Sequence, residues 1–422
     1  MSKRCPGCGR EMKDTDLFCI HCGTKYEEGS HTEAAGGAPE SACPYCGGKV
    51  GPKDRFCMSC GREQPGFEQA ERQPESGFGM DDFVQASKSG MEKVVNTLND
   101  MTGQEGEADI RLRELVSEVF KKHTADERDE LFISGTKKTT PAPENMVSDW
   151  PHPWLFARIF LMFLLVFAGL LVMITQFDNL NGVPGAMFIG ALAVPFSLMV
   201  FFWETNIPRN ISIFEAVSIF FVGGVMSLIC TLILYNFIQV GELNYTGAVL
   251  VGIIEEIGKI VVVGHYIKKM NTGYILNGLL LGSCVGAGFA VFETAGYAFN
   301  ALLLSGSVSG MVDILVLRGA MAVGGHTLWA AISAAGLVIA KGDRPFDKRF
   351  YLEPGFLKFL VLVIILHAVW DMPIRFGESM YLVQWILCAV AVLVALVILS
   401  SGLRQVSAVV KEAKKKRLEA GL

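Results

Sequence analysis

The chain changes from mostly polar to mostly apolar near residue 150. Residues 1–150 are mostly polar, whereas residues 151–422 form long apolar runs separated by short loops. Because a helix needs about 20 apolar residues to cross a bilayer, these runs predict membrane-spanning helices. The eight predicted spans cover residues 155–175, 183–203, 213–238, 247–267, 273–300, 312–340, 356–374 and 381–402. The pattern therefore predicts an all-α polytopic membrane bundle behind a polar N-terminal region.

Basic residues are concentrated in every second loop of the predicted bundle. The loops after the first, third and fifth spans hold no Lys or Arg, and the loop after the seventh holds only Arg375. The other loops and the C-terminal tail are basic, and the loop residues are Arg209, Lys268, Lys269, Lys341, Arg344, Lys348 and Arg349. Since Lys and Arg mark cytoplasmic loops, both termini are predicted to be cytoplasmic. No signal-peptide pattern opens the chain, so no cleaved leader is expected.

A cysteine repeat occupies the N-terminal region. The segments "CPGCGREMKDTDLFCIHCG" and "CPYCGGKVGPKDRFCMSCG" each carry two Cys-x-x-Cys pairs separated by ten residues. Disulfides are the alternative, but this spacing on a cytoplasmic segment favours one zinc ion held by four thiolates. We therefore predict structural zinc ribbons over residues 1–26 and 39–64. The predicted ligands are Cys5, Cys8, Cys19 and Cys22 in the first ribbon, and Cys43, Cys46, Cys57 and Cys60 in the second.

The sequence pattern predicts that residues 65–150 form a linker with amphipathic helices. In "RLRELVSEVFKKH", apolar residues recur at helical spacing. The membrane domain is expected over residues 151–404, followed by a basic cytoplasmic tail over residues 405–422. The formal net charge of -5 argues against a general nucleic-acid binder. We expect the ribbons to bind a cytoplasmic protein or to regulate access to the membrane domain.

Charged and polar side chains interrupt four of the predicted spans. A charged residue at the bilayer centre costs roughly 2.5–3.5 kcal/mol on insertion scales, so such residues usually serve a function. A single polar residue inside a span often has only a structural role, in which it bonds to a neighbouring helix. Arg318 fits this structural role and a functional role equally well. The others are Glu255, Glu256 and Lys259 in the fourth span, Glu293 and Tyr297 in the fifth, His326 in the sixth, and His367 and Asp371 in the seventh. Because these residues lie at similar depths, we predict that they converge on one hydrated site opening toward the outer face.

The motifs "EEIGK", "FETAGY", "HTLWA" and "HAVWD" follow one another on these four spans. In this order they resemble the four motifs of PrsW-type intramembrane proteases, over roughly residues 150–400. The resemblance implies an integral protein of the bacterial cell membrane that cleaves a membrane-anchored, anti-sigma-factor-like protein near its extracytoplasmic side. A more distant likeness to CAAX-prenyl endopeptidases is weakened at Tyr297, where those enzymes have His.

Two mechanisms fit these residues. In the first, Glu255 or Glu256 deprotonates a water while the two imidazoles stabilise the oxyanion. In the second, the imidazoles and a carboxylate bind a zinc ion that activates the water. The candidate catalytic residues are Glu255, Glu256, Lys259, Glu293, Tyr297, His326, His367 and Asp371.

The intramembrane polar residues also permit functions other than proteolysis. Acids and histidines inside a bundle form the relays of proton-coupled transporters. A membrane scaffold or sensor that presents the zinc ribbons to the cytoplasm is the other alternative.

Overall fold

The computed structural model describes residues 2–4, 11–13, 41–50, 57, 59–62, 80–147, 149–374 and 381–420. It divides into two compact units, Met1–Phe83 and Val84–Leu422. The predicted ligands Cys5, Cys8, Cys19 and Cys22 lie outside the described residues, and so does Arg375.

Two small antiparallel hairpins belong to the first unit. Strand β1 (Ser2–Arg4) pairs with β2 (Glu11–Lys13), and β3 (Ser41–Ala42) pairs with β4 (Lys49–Val50). The turn after β3 carries Cys43 and is closed by a 2.8 Å bond from Gly47 N to Cys43 O. Gly47 has a φ of 74°, a conformation that glycine adopts at little cost.

Helices make up most of the second unit. A polar lead-in contains α1 (Met80–Thr102), α2 (Leu112–Val116) and α3 (Ala125–Ile133). The apolar helices that follow are α4 (Leu155–Gln176), α5 (Val183–Glu204), α6 (Ile213–Ser218), α7 (Gly224–Phe237), α8 (Tyr245–Met270), α9 (Ile275–Ser305), α10 (Val308–Met321), α11 (His326–Lys341), α12 (Pro354–Asp371) and α13 (Leu382–Glu419). One π-helical turn, Ile219–Gly223, joins α6 to α7, so these two form one span.

Seven helical segments among the described residues are long and apolar enough to cross a membrane. Helix α8 is not among them because three charged residues stand at its centre, yet it is 26 residues long and packs between α7 and α12. With α8 the bundle has the eight spans that the sequence predicts. The prediction of an all-α polytopic membrane bundle is confirmed.

The sixth predicted span is not one continuous helix. Helix α10 ends at Met321, a 3-10 turn covers Ala322–Gly324, and α11 begins at His326. Gly324 lies against α13 so closely that an added Cβ would be 2.3 Å from Cys388 Cα. The span predicted over residues 312–340 is therefore present, but it consists of two helices, because adjacent glycines allow the chain to kink at this contact.

Helix α9 forms the buried centre of the bundle. Gly278, Gly282 and Gly286, spaced four apart, face α11, and an added Cβ on Gly282 would lie 2.2 Å from Ala330 O. Small residues at this spacing let two helices approach closely without a side chain between them. The contact brings Glu293 of α9 toward His326 of α11.

A second close crossing joins α8 to α12. An added Cβ on Gly252 would meet the backbone of Ala368 at 3.2 Å. Because His367 precedes Ala368, the crossing places its imidazole against the acidic centre of α8.

The polar lead-in packs on α13 around Ser400 and Ser401. The Ser401 hydroxyl donates to Thr102 Oγ1 at 2.7 Å, and both residues are buried. Helix α2 is shorter than the sequence pattern suggested, and Phe120 beyond its end is 95% exposed. Of the predicted apolar positions on α2, Leu115 is the one that packs into the core.

Candidate active site

Glu256 is the most tightly held carboxylate of the site. Its Oε1 accepts from Lys259 Nζ at 2.6 Å and lies 2.9 Å from His367 Nδ1. All three side chains are buried. Buried charges are tolerated when they are paired in this way, and the Lys259 ammonium also lies 4.4 Å from the centre of the Phe289 ring. Glu256 therefore orients an imidazole and neutralises a lysine.

Glu255 is buried but has a free oxygen. Oε1 accepts a 3.3 Å hydrogen bond from the Tyr235 hydroxyl. Oε2 has no hydrogen-bond partner among the described residues. It lies 3.7 Å from His367 Nε2, 3.9 Å from His326 Nδ1 and 3.7 Å from the Lys259 ammonium. Consecutive helix residues point about 100° apart, so Glu255 approaches both imidazoles whereas Glu256 approaches one edge of His367, and Lys259 lies near both carboxylates.

Glu293 holds the second imidazole. Its Oε2 lies 2.9 Å from His326 Nε2 and is also ion-paired with Arg318. The Arg318 guanidinium donates from Nε to Thr294 Oγ1 at 3.1 Å and covers the Tyr297 ring at 4.4 Å. Arg318 and Tyr297 thus support Glu293 from the side facing away from Glu255.

The two imidazoles are arranged alike around Glu255. Each has a carboxylate oxygen 2.9 Å from one nitrogen, Glu256 for His367 and Glu293 for His326. Since Lys259 donates to Nδ1 of His326 at 2.9 Å, that nitrogen is an acceptor, and Nε2 carries the proton toward Glu293. If Nδ1 of His367 likewise donates to Glu256, Nε2 of His367 presents a lone pair toward Glu255 Oε2, whereas the lone pair of His326 Nδ1 is used by Lys259.

Asp371 has a weaker contact than the sequence suggested. Its Oδ2 lies 3.5 Å from His367 Nε2, longer than a usual hydrogen bond. Asp371, a candidate catalytic residue one helical turn after His367, is therefore not the closest carboxylate to that imidazole, since Glu256 approaches to 2.9 Å.

The donor set around Glu255 has the chemistry of a metal site. One ligand atom each from Glu255, His326 and His367 lies within 4.8 Å of the others. Two imidazoles and a carboxylate form a common catalytic zinc set, and carboxylates on the outer imidazole nitrogens are typical of such sites. The free Glu255 Oε2 and the two inner nitrogens fit a divalent ion, although Lys259 now occupies the lone pair of His326.

Four of the described cysteines form a cluster in the first unit. Cys43, Cys46, Cys57 and Cys60 place their sulfurs within 4.8 Å of one another. The Cys43–Cys60 and Cys46–Cys57 sulfur distances are 3.8 and 3.7 Å. Tetrahedral zinc with bonds of about 2.3 Å requires sulfurs about 3.8 Å apart. These four cysteines are therefore arranged to hold one zinc ion.

A cavity of about 510 Å³ leads to the imidazole of His326. Leu243 and Tyr381 line its exposed part, and His326 and Trp329 line its buried part. The Trp329 ring is stacked on His367 with ring centres 4.6 Å apart. The cavity thus connects the bundle surface with the reactive groups.

Sequence reasoning missed two residues of this site. Tyr235 stands in the apolar run "LILYNF" of α7, outside the four motifs, where a lone tyrosine carries no distinctive signal. Trp329 lies inside "HTLWA" but reads as an ordinary apolar residue of that span. Only the helix packing shows that each contacts a site residue.

Two family matches agree with this geometry. Residues 210–400 match the PrsW family intramembrane metalloprotease, and residues 5–61 match the double zinc ribbon. Searches of curated proteins and of solved structures gave no match. The resemblance inferred from the four motifs is confirmed. The chain carries a PrsW-type intramembrane protease domain preceded by a double zinc ribbon.

Proposed function

We propose that the domain hydrolyses a peptide bond of a membrane-anchored protein, near the extracytoplasmic side of the bilayer. The observation that carries this proposal is the Glu255 oxygen without a hydrogen bond, which lies beside two imidazoles, one of which, His326, lines a cavity. An anti-sigma-factor-like protein with one membrane span is the substrate class expected from the family resemblance.

The distribution of charge supports the extracytoplasmic side. Lys268 and Lys269 end α8 at one face of the bundle, whereas the cavity opens near Leu243, before the start of α8. Positive loops mark the cytoplasmic face, so the cavity opens to the opposite one. Glu255 lies ten residues after Tyr245, about 15 Å along the helix, which is the middle of a core about 30 Å thick. Both termini are then cytoplasmic in a multi-pass protein of the bacterial cell membrane.

Glu255 is the general base in this proposal. Its Oε2 has no hydrogen bond among the described residues and lies 3.9 Å from His326 and 3.7 Å from His367, so it takes the proton of a water placed beside the two imidazoles. Oε2 of Glu256 also lacks a hydrogen bond, but Oε1 of Glu256 contacts both Lys259 and His367. Glu256 keeps its contacts to Lys259 and His367 and acts by positioning them.

In the metal-free version, His367 stabilises the developing oxyanion as an imidazolium ion, because its Nε2 then donates while Nδ1 keeps its contact with Glu256. His326 is held by Glu293, whose charge is balanced by Arg318, and His367 is held by Glu256. Such fixed groups need no rearrangement when negative charge develops on the carbonyl oxygen.

In the metal-dependent version, Glu255, His326 and His367 would hold the ion, and Glu255 would then be a ligand instead of the general base. An ion bound there supplies Lewis acidity toward the carbonyl and acidifies a bound water. The proteins named in the family match are metalloproteases, which favours this version. Glu256 and Glu293 then fix the ring orientation of the two histidine ligands.

Reconstitution with a single-span substrate tests the proposed function. Wild-type protein in liposomes is expected to cut the substrate in one half of its membrane span. This is the half level with the Tyr245 end of α8, opposite Lys268 and Lys269, and the masses of the fragments identify it. Glu242→Gln, an exposed carboxylate near the cavity opening, is the matched control and keeps full activity. A cut in the opposite half contradicts the proposed side. Proton uptake by the liposomes without any cleavage favours the transporter alternative, and neither activity favours the scaffold or sensor.

A further inference from the structure

We infer that the cavity beside His326 is a side-chain pocket for a large apolar residue of the substrate, adjacent to the cleaved bond. The inference rests on the proposed function and adds the substrate preference of that site. Pockets of about 300–1,000 Å³ hold compact organic ligands, so a cavity of about 510 Å³ has room for a large side chain.

Small residues create the space next to the imidazole. Ala290 of α9 and Ala322 and Gly325 of the helix break line the cavity where it reaches His326. The break between α10 and α11 thus removes side chains from the place where the substrate must approach. Because neighbouring peptide Cα atoms are about 3.8 Å apart, a chain placed at His326 puts an adjacent side chain into this space.

The wall of the cavity is aromatic where it meets the reactive groups. Trp329 lines the cavity, is stacked on His367 and makes an edge contact with His326 at 4.9 Å between ring centres. Trp370 lines the same region and contacts Trp329. An apolar side chain in the cavity therefore packs on a ring that also touches both imidazoles.

The charged residue of the cavity does not favour an acidic occupant. Arg318 lines the wall, but Glu293 pairs with its guanidinium, Thr294 accepts from Nε, and the Tyr297 ring lies beneath it. Its charge is already balanced by the partly buried carboxylate of Glu293. A second carboxylate would lose its hydration without gaining an unpaired cation, whereas an apolar side chain loses no hydration.

Two substrates that differ at one residue test the pocket. Each of the two positions flanking the mapped cut is made Phe or Ala in turn, and kcat/KM is measured with liposome-embedded protein. For one of these positions, wild type is expected to prefer Phe by about 10–100-fold, as hydrophobic pockets do. Ala290→Leu fills the space and should remove this preference, while cleavage of the Ala substrate changes by less than about threefold.

Two further variants complete the experiment. Gly296→Leu adds a larger side chain to the same helix at a position where an added Cβ meets nothing within 4 Å. This variant should leave kcat/KM unchanged for both the Phe and the Ala substrate. Ile314→Ala enlarges the pocket from α10, so it should raise the relative rate for a Trp substrate even if Ala290→Leu does not fold.

The inference is overturned if wild type cleaves Phe and Ala substrates equally, or if Ala290→Leu slows both by the same factor. Equal rates are also the result expected if a lipid chain fills the cavity. Failure of the proposed function looks different, because wild-type protein then cleaves neither substrate.

Discussion

The hydroxyl of Tyr235 donates a 3.3 Å hydrogen bond to Oε1 of Glu255. Tyr235 belongs to α7, which carries none of the four motifs. The bond fixes one carboxylate oxygen and leaves the other directed at the two imidazoles. A residue outside the motifs therefore determines which oxygen of Glu255 is available for chemistry.

Replacing Tyr235 by Phe should lower kcat without a matching change in KM. The ring and its packing remain, but the Glu255 carboxylate is then free to rotate. Loss of a residue that orients an active-site ligand typically costs about 10–100-fold in activity. Steady-state kinetics with a single-span substrate measure the effect. Tyr245→Phe, at the exposed start of α8, is the control and should behave as wild type. An unchanged kcat in Tyr235→Phe would show that the hydrogen bond has no role.

Lys259→Met should destabilise the bundle. The substitution leaves the buried Glu256 carboxylate without its cation, and breaking a buried ion pair costs about 3–5 kcal/mol. Thermal unfolding in detergent should show a clear loss of stability. The double variant Lys259→Met/Glu256→Gln removes the unpaired charge and should recover part of it. If the double variant is no more stable than Lys259→Met, the loss has another origin.

Gly282→Val should separate α9 from α11. An added Cβ at this position would lie 2.2 Å from Ala330 O, so the helices must move apart. Overpacking of this kind costs about 1–3 kcal/mol or more. The control is Gly296→Val on the same helix, where an added Cβ meets nothing within 4 Å. Because both variants change helix propensity equally, their difference in unfolding temperature reports the crossing. Equal unfolding temperatures would contradict the close packing.

Cys43→Ser should reduce the zinc content of the protein by one ion per chain. The four sulfurs of this cluster are spaced for one tetrahedral ion, and losing one thiolate ligand opens the site. Metal content is measured by elemental analysis of purified protein. Cys284→Ser, buried in α9, is the matched control and should keep the full content. The ribbon assignment fails if the two variants contain the same amount of zinc.

The sequence predicts which polar residues of the four spans come together better than it predicts the contacts that each of them makes. Depth along four apolar runs was enough to expect that Glu255, Glu293, His326 and His367 approach one another, since charges inside a bundle need partners. The sequence alone does not distinguish Glu255 from Glu256 as the residue that approaches both imidazoles. The distinction depends on how α12 is rotated against α8 at the Gly252 crossing, and no local sequence pattern predicts that rotation.

Other features depend on contacts between distant segments. Two glycines precede His326, but the kink itself forms because Gly324 packs against Cys388. The lead-in before α4 reads as a polar linker, yet Thr102 and Ser401 bury a hydrogen bond between segments about 300 residues apart in sequence. Local polarity does not predict such docking, because its stabilising partner lies elsewhere in the chain.

The most direct test of the account compares Glu255→Gln with wild type in single-turnover cleavage, with substrate binding measured on the same samples. Glutamine keeps the size of the side chain and its hydrogen bond to Tyr235 but cannot accept a proton as a general base. Binding should be retained, and the cleavage rate should fall by about 10²–10⁴-fold, the range typical of a general base. Cleavage by Glu255→Gln at the wild-type rate would contradict the assignment of this carboxylate as the catalytic one.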